Sequence, residues 1–133
     1  MQGAGWRGWA LSLLRVVAAF LFALHGAQKL FGAFGGMGGH GAAPAGSLLW
    51  VAGVLEVSGG ILLFVGLFTR PVAFLLSGEM AVAFFRQHVP HGFWPIQNGG
   101  EPAVLYCFLF LYLAAAGGGP LSLDAVLRRK RRP

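Results

Sequence analysis

The chain has 133 residues, a length typical of one domain, and a formal net charge of +6. Charged residues make up 11% of it and hydrophobic residues 56%, whereas soluble domains average about 25% charged residues, so the composition excludes an ordinary soluble domain. The positive charge is concentrated in the run LRRKRR at residues 127–132, directly after an apolar segment, which favours a membrane surface over nucleic acid as the partner.

Four apolar segments follow one another along the chain, and each predicts a transmembrane helix. They cover residues 9–31, 47–68, 71–85 and 102–116. The first two are long enough to cross about 30 Å of hydrocarbon at about 1.5 Å per residue, and the last two are shorter. A signal peptide is the alternative for the first segment, but Arg15 interrupts it and no convincing small-residue cleavage site follows, so we expect it to be retained.

Two loops and one tight turn connect these segments. The first loop, GAFGGMGGHGAAPAG at residues 32–46, is too rich in glycine for regular structure, and the second, HVPHGFWPIQNGG at residues 88–100, contains turn residues and a tryptophan. The middle segments are joined by LFTRP, in which Pro71 is well suited to begin a helix. We therefore expect the middle segments to form a helical hairpin.

The distribution of basic residues predicts the orientation. Arg7, Arg70 and the basic tail 128–133 fall on one side of the membrane, and the positive-inside rule makes that side cytoplasmic. The sequence thus predicts an all-α integral membrane protein, a four-helix bundle that forms a single domain over residues 1–133, with both termini in the cytoplasm.

Polar and charged side chains share one face of the first segment. At spacings of three or four residues it carries Ser12, Arg15, Ala18, Phe22, His25 and Lys29. Charges in lipid are costly, so we expect this face to point into the bundle, where Arg15, Glu56 and Glu79 are predicted to form an intramembrane charge network. A structural ion pair that fixes helix register is the alternative role for the glutamates.

A second cluster is predicted toward the outer end of the bundle. It comprises His25, Lys29, Arg86, His88, His91 and Glu101. We expect a ligand pocket there, suited to a quinone or phenolic ring, because cations beside an apolar cavity stabilise an oxygen as it gains negative charge. The predicted lining residues are His25, Lys29, Glu56, Arg86 and Glu101. Alternatively, Lys29 and Arg86 extend to the membrane interface and bind no ligand.

No intrinsic redox cofactor or metal is expected. Pro90 interrupts the HxxH spacing of His88 and His91, and only His25 lies well within a segment, which argues against a metal site and against bis-histidine haem ligation. The glycine-rich loop has no preceding strand and is therefore not a dinucleotide-binding motif. The single cysteine, Cys107, excludes an internal dithiol. Redox activity would require electrons from a partner protein.

Four motifs in series resemble the DoxX family. They are HGAQKLFG at residues 25–32, GVLEVSGGILLFVGLFTRP at 53–71, NGGEPAVL at 98–105 and GPLSLDAVL at 119–127. The resemblance implies a bacterial inner-membrane protein of four helices, related to the small subunit of thiosulfate:quinone oxidoreductase and to oxidoreductases of catechol and hydroquinone stress. The family pattern falls on His25, Gln28, Lys29, Glu56, Gly59, Gly60, Thr69, Arg70, Asn98, Gly99, Gly100 and Glu101. Pro102 departs from it, because an aromatic residue commonly follows the glutamate.

These observations predict a membrane subunit of a quinone-linked oxidoreductase system in the bacterial inner membrane. Its expected partners are membrane lipid, a quinone or phenolic ligand and a partner oxidoreductase subunit, with no role for nucleic acid. Two alternatives stay open. The chain could be a non-catalytic anchor or assembly scaffold whose basic tail binds acidic lipid or a partner enzyme, or a carrier of small molecules through its polar interior. The sequence assigns no catalytic residue, substrate or electron donor.

Overall fold

The computed structural model describes residues 5–133, and the regular structure in that range is entirely helical. The helices are α1 (Trp6–Phe31), α2 (Leu48–Val65), α3 (Thr69–Ala83), α4 (Pro95–Asn98), α5 (Glu101–Ala116) and α6 (Leu123–Arg131). The all-α prediction is confirmed. The first four residues of the predicted single domain lie outside the described range.

The chain divides into two compact units. One consists of the described part of Met1–Thr69 together with Gly118–Pro133, and the other of Arg70–Gly117. The first unit therefore holds α1, α2 and α6, and the second holds α5 and nearly all of α3. Two helices, α1 and α2, are long and apolar enough to cross a membrane, and α5 is a shorter apolar helix.

The ends of α1 and α2 are set by residues that stop or start helices. Gly32 and Gly66 follow the two helices with φ of +67° and +71°, a left-handed conformation that suits glycine and ends a helix. Ser47 caps the start of α2 by accepting a hydrogen bond from the Trp50 N–H at 3.2 Å. The second predicted segment ran to Phe68, but Gly66 ends the helix at Val65.

The loop between α1 and α2 is irregular, as its glycine content predicts. Two short 3₁₀ turns, Ala33–Gly35 and Met37–Gly39, occupy its first half. The Ala43 N–H donates to the Lys29 carbonyl at 2.7 Å, so the loop returns to the last turns of α1. This contact keeps the loop close to the helix end that carries Lys29.

The segment between α3 and α5 has more regular structure than the sequence predicts. A π-helical turn, Phe84–His88, continues α3 directly, and a 3₁₀ turn and the short α4 follow. The buried Asn98 amide organises this segment, since its Nδ2 donates to the Gly92 carbonyl at 2.7 Å and its Oδ1 accepts from the Gly100 N–H at 2.7 Å. One side chain thus replaces the hydrogen bonds that a helix would provide.

Within the second unit, polar side chains link α3 to α5. The Ser77 hydroxyl donates to the Cys107 carbonyl at 2.7 Å, and Nη1 of Arg70 donates to the Ala115 carbonyl at 2.9 Å. The apolar core of this unit includes the fully buried Phe110. Hydrogen bonds between side chain and backbone stabilise helix pairs in lipid, where water cannot replace them.

Candidate functional site

A buried ion pair joins the two helices that are long enough to cross a membrane. Nζ of Lys29 on α1 lies 2.6 Å from Oε1 and 2.8 Å from Oε2 of Glu56 on α2. The Glu56 side chain is 0% exposed and the Lys29 side chain 11%. Lys29 therefore contacts both carboxylate oxygens inside the protein, and the alternative in which its ammonium extends to the membrane interface is not what the structure has.

Two glycines bring α1 and α2 close together at this pair. Gly26 and Gly53 each lie one helical turn before a member of the pair. A Cβ atom built on Gly26 would come within 2.7 Å of the Val57 backbone nitrogen and 2.8 Å of Cβ of Glu56, and one on Gly53 within 2.9 Å of Cβ of Lys29. Only glycine permits this separation, which is typical of packed membrane helices. The close contact excludes solvent from the base of the pair.

The Lys29–Glu56 pair has no net charge, but each of its two groups depends on the other. A bidentate ammonium–carboxylate contact satisfies both charges, and separating the two groups in an apolar environment would leave each one unpaired at high cost. An incoming oxygen that accepts a hydrogen bond from Lys29 can take the place of one carboxylate oxygen. The arrangement therefore places a charged hydrogen-bond donor beside a carboxylate in a buried, apolar setting.

Arg15 has a different environment from the one predicted. Its guanidinium is buried and donates to the carbonyls of Gly118, Leu121 and Phe64, the last two at 2.7 and 3.4 Å. The sequence predicts Arg15 and Glu56 in one network, but Phe64 lies about 12 Å along α2 from Glu56, at eight residues of about 1.5 Å each. Arg15 thus meets the carbonyl end of α2, where a cation is favoured.

Asp124 holds the start of α3, a role that the sequence does not predict. Its carboxylate accepts hydrogen bonds from the N–H groups of Phe68 and Thr69, both at 2.9 Å, and its own N–H donates to the Gly66 carbonyl at 2.9 Å. Burial raises the pKa of this carboxyl, but the hydrogen bonds from Thr69 and Phe68 and the charge of Arg128 outweigh it and hold the pKa below its usual value. The acidic position in GPLSLDAVL was the available signal.

The other residues of the predicted ligand set lie on exposed surface. His25 is exposed on α1, while Arg86 lies exposed in the π-helical turn and Glu101 exposed at the first position of α5. Glu79 is partly buried on α3. Of the predicted site residues, the structure brings Lys29 and Glu56 together in the first unit. The five-residue pocket and the participation of Glu79 in a network stay predictions.

The histidines of the HxxH spacing lie at the end of the second unit's irregular segment. Nδ1 of His88 lies 3.1 Å from the Asn98 carbonyl, and its ring stacks on Phe84 with ring centres 6.5 Å apart. His91 is exposed. Within residues 5–133, no three histidine, cysteine or acidic side chains are grouped so as to hold a metal ion. His88 has a packing role here.

A comparison with protein families shows which family the chain belongs to. The model of the family described as DoxX matches residues 10–89, which include α1 from its fifth residue and all of α2 and α3. The chain belongs to the DoxX family. The matched range includes the whole Lys29–Glu56 site and Arg15, whereas Asp124 lies beyond it. As a DoxX protein with two helices able to span a bilayer, the chain is membrane-associated.

Two similar proteins extend the match over most of the chain. An "Uncharacterized protein" of Haemophilus influenzae is 48% identical over 122 residues, covering 90% of this chain and 91% of its own. The "Putative oxidoreductase CatD" of Bacillus subtilis is 30% identical over 113 residues, covering 84% of this chain and 82% of its own. No solved structure matches this DoxX chain significantly. Its distant similarity is therefore to a protein named as an oxidoreductase.

Proposed function

We propose that this DoxX protein is the membrane subunit of a quinone-linked oxidoreductase system and that the Lys29–Glu56 pair is part of its ligand site. The observation that carries the proposal is a fully buried carboxylate held by a buried ammonium between two apolar helices. Ionisable groups inside membrane helices are costly and usually mark an ion, proton or ligand site. Similarity to the "Putative oxidoreductase CatD" supports a redox role.

The proposed architecture is a four-helix bundle that crosses the bacterial inner membrane with both termini in the cytoplasm. α3 continues without a break through Phe84–His88, which gives it a length similar to that of α2, and α5 is apolar. Arg7 at the start of α1, Arg70 at the start of α3 and the basic end of α6 support this orientation by the positive-inside rule.

The proposed ligand is a quinone or phenolic ring, and its chemistry uses the two members of the pair differently. Reduction of a quinone to a hydroquinone takes up two electrons and two protons. The Lys29 ammonium donates a hydrogen bond to the carbonyl oxygen and stabilises its growing negative charge, while the Glu56 carboxylate takes up each of the two protons from water and passes it to the ligand. The electrons come from a partner subunit. His25 lies one turn before Lys29 on α1 and is a further candidate for the proposed site.

Quinone binding by purified variants tests this proposal. A water-soluble short-chain ubiquinone would be titrated against the wild type, Lys29→Ala, Glu56→Gln and the charge-swapped double variant Lys29→Glu with Glu56→Lys. We expect each single variant to bind at least about tenfold more weakly, the loss of one charge-assisted hydrogen bond. The swap keeps an ion pair but reverses its direction, so it should recover thermal stability without recovering quinone affinity.

Two results would remove the basis for the proposal. Equal affinity in all four proteins would mean that the quinone binds elsewhere, and an absence of binding in all four would mean that the pair is structural. A swapped variant that binds the quinone as tightly as the wild type would also contradict the assigned roles, because Lys29 and Glu56 are proposed to act at different atoms of the ligand.

A membrane anchor for a partner enzyme is the second candidate. Arg15 favours it, because this buried cation serves three backbone carbonyls and therefore shapes the protein without a ligand. Purification from native membranes separates the candidates. A soluble enzyme that copurifies without bound quinone supports the anchor, whereas quinone retained by the isolated chain supports the redox subunit, and uptake of a small molecule into liposomes supports a carrier.

A further inference from the structure

An apolar groove of about 330 Å³ lies beside the first turns of α1. It is lined by Trp9, Ala10, Ser12, Leu13, Val16 and Leu121. The one hydroxyl among these residues is already engaged, since Oγ of Ser12 accepts a hydrogen bond from the Leu121 N–H at 3.1 Å. Lys29 lies about 20–30 Å further along α1 than the residues that line the groove, at about 1.5 Å per residue. The groove is therefore separate from the ion pair, and its walls are apolar.

The surroundings of the groove are those of a membrane boundary. Trp9 is 50% exposed and Leu13 is 64% exposed on a helix that is able to span a bilayer. Tryptophan is enriched where hydrocarbon meets the headgroups, because its ring is apolar and its N–H polar. An apolar groove at this level of α1 is in reach of the acyl chain of a lipid.

Positive charge lies next to the groove. Leu121, one wall of it, directly precedes Ser122, which caps α6. The last turns of α6 carry exposed basic residues, and the first of them, Arg128, lies about 8 Å along the helix from its first residue. The single acid of this helix, Asp124, is occupied by two backbone N–H groups. The net charge beside the groove is therefore positive and favours an anionic headgroup.

We propose that this groove binds one acyl chain of an anionic phospholipid whose phosphate contacts the basic end of α6. The size of the groove supports a lipid over a protein helix. A volume of about 330 Å³ lies at the small end of the roughly 300–1,000 Å³ of ligand pockets. A helix with side chains is about 10 Å across and needs a longer trough. Basic segments beside a membrane helix are attracted to anionic lipid.

Fluorescence of Trp9 reports whether an acyl chain enters the groove. Replacing Trp6, Trp50 and Trp94 by phenylalanine leaves Trp9 as the single tryptophan of the chain. This protein in neutral detergent would be titrated with phosphatidylglycerol or phosphatidylcholine brominated on the acyl chains. We expect phosphatidylglycerol to reach half-maximal quenching at an about fivefold lower mole fraction than phosphatidylcholine, and added salt to narrow the difference.

Variants separate the groove from the charges beside it. Ala10→Phe fills the groove and should abolish the quenching by phosphatidylglycerol, whereas Val17→Phe adds an aromatic ring to an exposed position of the same helix outside the groove and should leave it unchanged. Replacing Arg128, Arg129 and Lys130 by glutamine should remove the preference for phosphatidylglycerol but keep weak quenching by both lipids.

Native mass spectrometry of the unmodified chain gives a second measurement that does not depend on the tryptophan replacements. We expect one phosphatidylglycerol to stay bound in the wild type and to be lost in Ala10→Phe. Three results would overturn the proposal: equal quenching by the two lipids in the protein that keeps only Trp9, equal effects of Ala10→Phe and Val17→Phe, or protection of Trp9 that grows with protein concentration and so indicates a second copy in the groove.

Discussion

Lys29 and Glu56 share a bidentate contact, with both carboxylate oxygens within 2.8 Å of the ammonium nitrogen, between helices that are otherwise apolar along this contact. Such a pair contributes less to stability than its short distances suggest, since both ions lose their hydration on burial. Its two members are nevertheless dependent on each other. Removing one leaves the other charged and buried, which is far less favourable than removing both.

This dependence predicts the order of stability among three proteins. Glu56→Ala should lower the free energy of unfolding by about 3–5 kcal/mol, because it leaves the Lys29 ammonium unpaired inside the protein. The double variant Lys29→Met with Glu56→Leu should be close to the wild type or more stable. Thermal and denaturant unfolding in detergent micelles measure both. A double variant less stable than Glu56→Ala would contradict the argument that desolvation offsets most of the attraction within the pair.

The glycines at the crossing of α1 and α2 give the second prediction. Gly26→Ala should destabilise the protein by about 1–3 kcal/mol, because the new methyl group would overlap the backbone nitrogen of Val57, which cannot move away as a flexible side chain could. Gly78→Ala is the matched control, since a Cβ at Gly78 on α3 meets no atom within 4 Å. It should be neutral or stabilise by up to about 1 kcal/mol through helix propensity.

Unfolding of the two variants in the same detergent tests this pair of expectations. If Gly26→Ala and Gly78→Ala changed the free energy of unfolding equally, close packing at Gly26 would not contribute to stability. Binding of the proposed quinone should also weaken in Gly26→Ala and not in Gly78→Ala, because only the former forces α1 and α2 apart beside Lys29.

The sequence predicts the buried face of α1 well, and its partners poorly. Ser12, Arg15 and Lys29 are buried at the spacing that a helix with one inward face requires, although His25 on the expected face is exposed. Spacing along one helix predicts which residues share a face. It does not tell which group on another element lies opposite, and Glu56 was therefore expected near Arg15 and pairs with Lys29.

Backbone partners explain most of what the sequence could not reveal. Arg15 binds carbonyl oxygens and Asp124 binds N–H groups, and every residue type except proline, which lacks the N–H, has both. No pattern of side chains marks such partners, and those of Asp124 lie 55 and 56 residues away in the chain. A tight turn was predicted around Arg70; the turn lies at residues 66–68, and Arg70 is already in α3. The side chain that holds the N–H groups of Phe68 and Thr69 was not predicted.

Asp124 makes stability depend on pH in acid. Because hydrogen bonds and Arg128 hold its pKa below the usual value, the stabilisation from its ionised form is complete above about pH 4, the pKa of an unfolded aspartate. It is lost as the pH falls through the lower pKa of the folded state. Asp124→Asn should cost about 1 kcal/mol at neutral pH, because hydrogen bonds to an ionised acceptor contribute more than hydrogen bonds to a neutral amide oxygen.

The measurement for Asp124 is a comparison of two pH profiles. The melting temperature of the wild type should approach that of Asp124→Asn as the pH falls below about 4, since both then lack the charge. The two proteins differ only at residue 124, so the difference between their profiles isolates the contribution of Asp124. A difference that stays constant down to about pH 2 would mean that Asp124 acts only by its shape.

Arg15 gives the last prediction, which concerns local opening of the segment before α6. Its guanidinium donates to the carbonyls of Gly118 and Leu121, and a lysine offers a single nitrogen where the guanidinium presents a rigid fork. Arg15→Lys should therefore leave at least one of these carbonyls without a donor and destabilise the protein by about 1–3 kcal/mol. Arg15→Met should cost more, because it leaves every one of them without a donor.

Hydrogen exchange and limited proteolysis in detergent distinguish this local effect from general unfolding. We expect faster exchange and new cleavage in the segment 117–122 of Arg15→Lys, while the contact between Lys29 and Glu56 persists, because it lies about 21 Å away along α1 at 14 residues of about 1.5 Å. A charge-swapped Lys29–Glu56 variant serves as the control and should leave the segment protected. Equal exposure of the segment in both variants would mean that α1, α2 and the residues before α6 unfold as one unit, and that Arg15 has no local role.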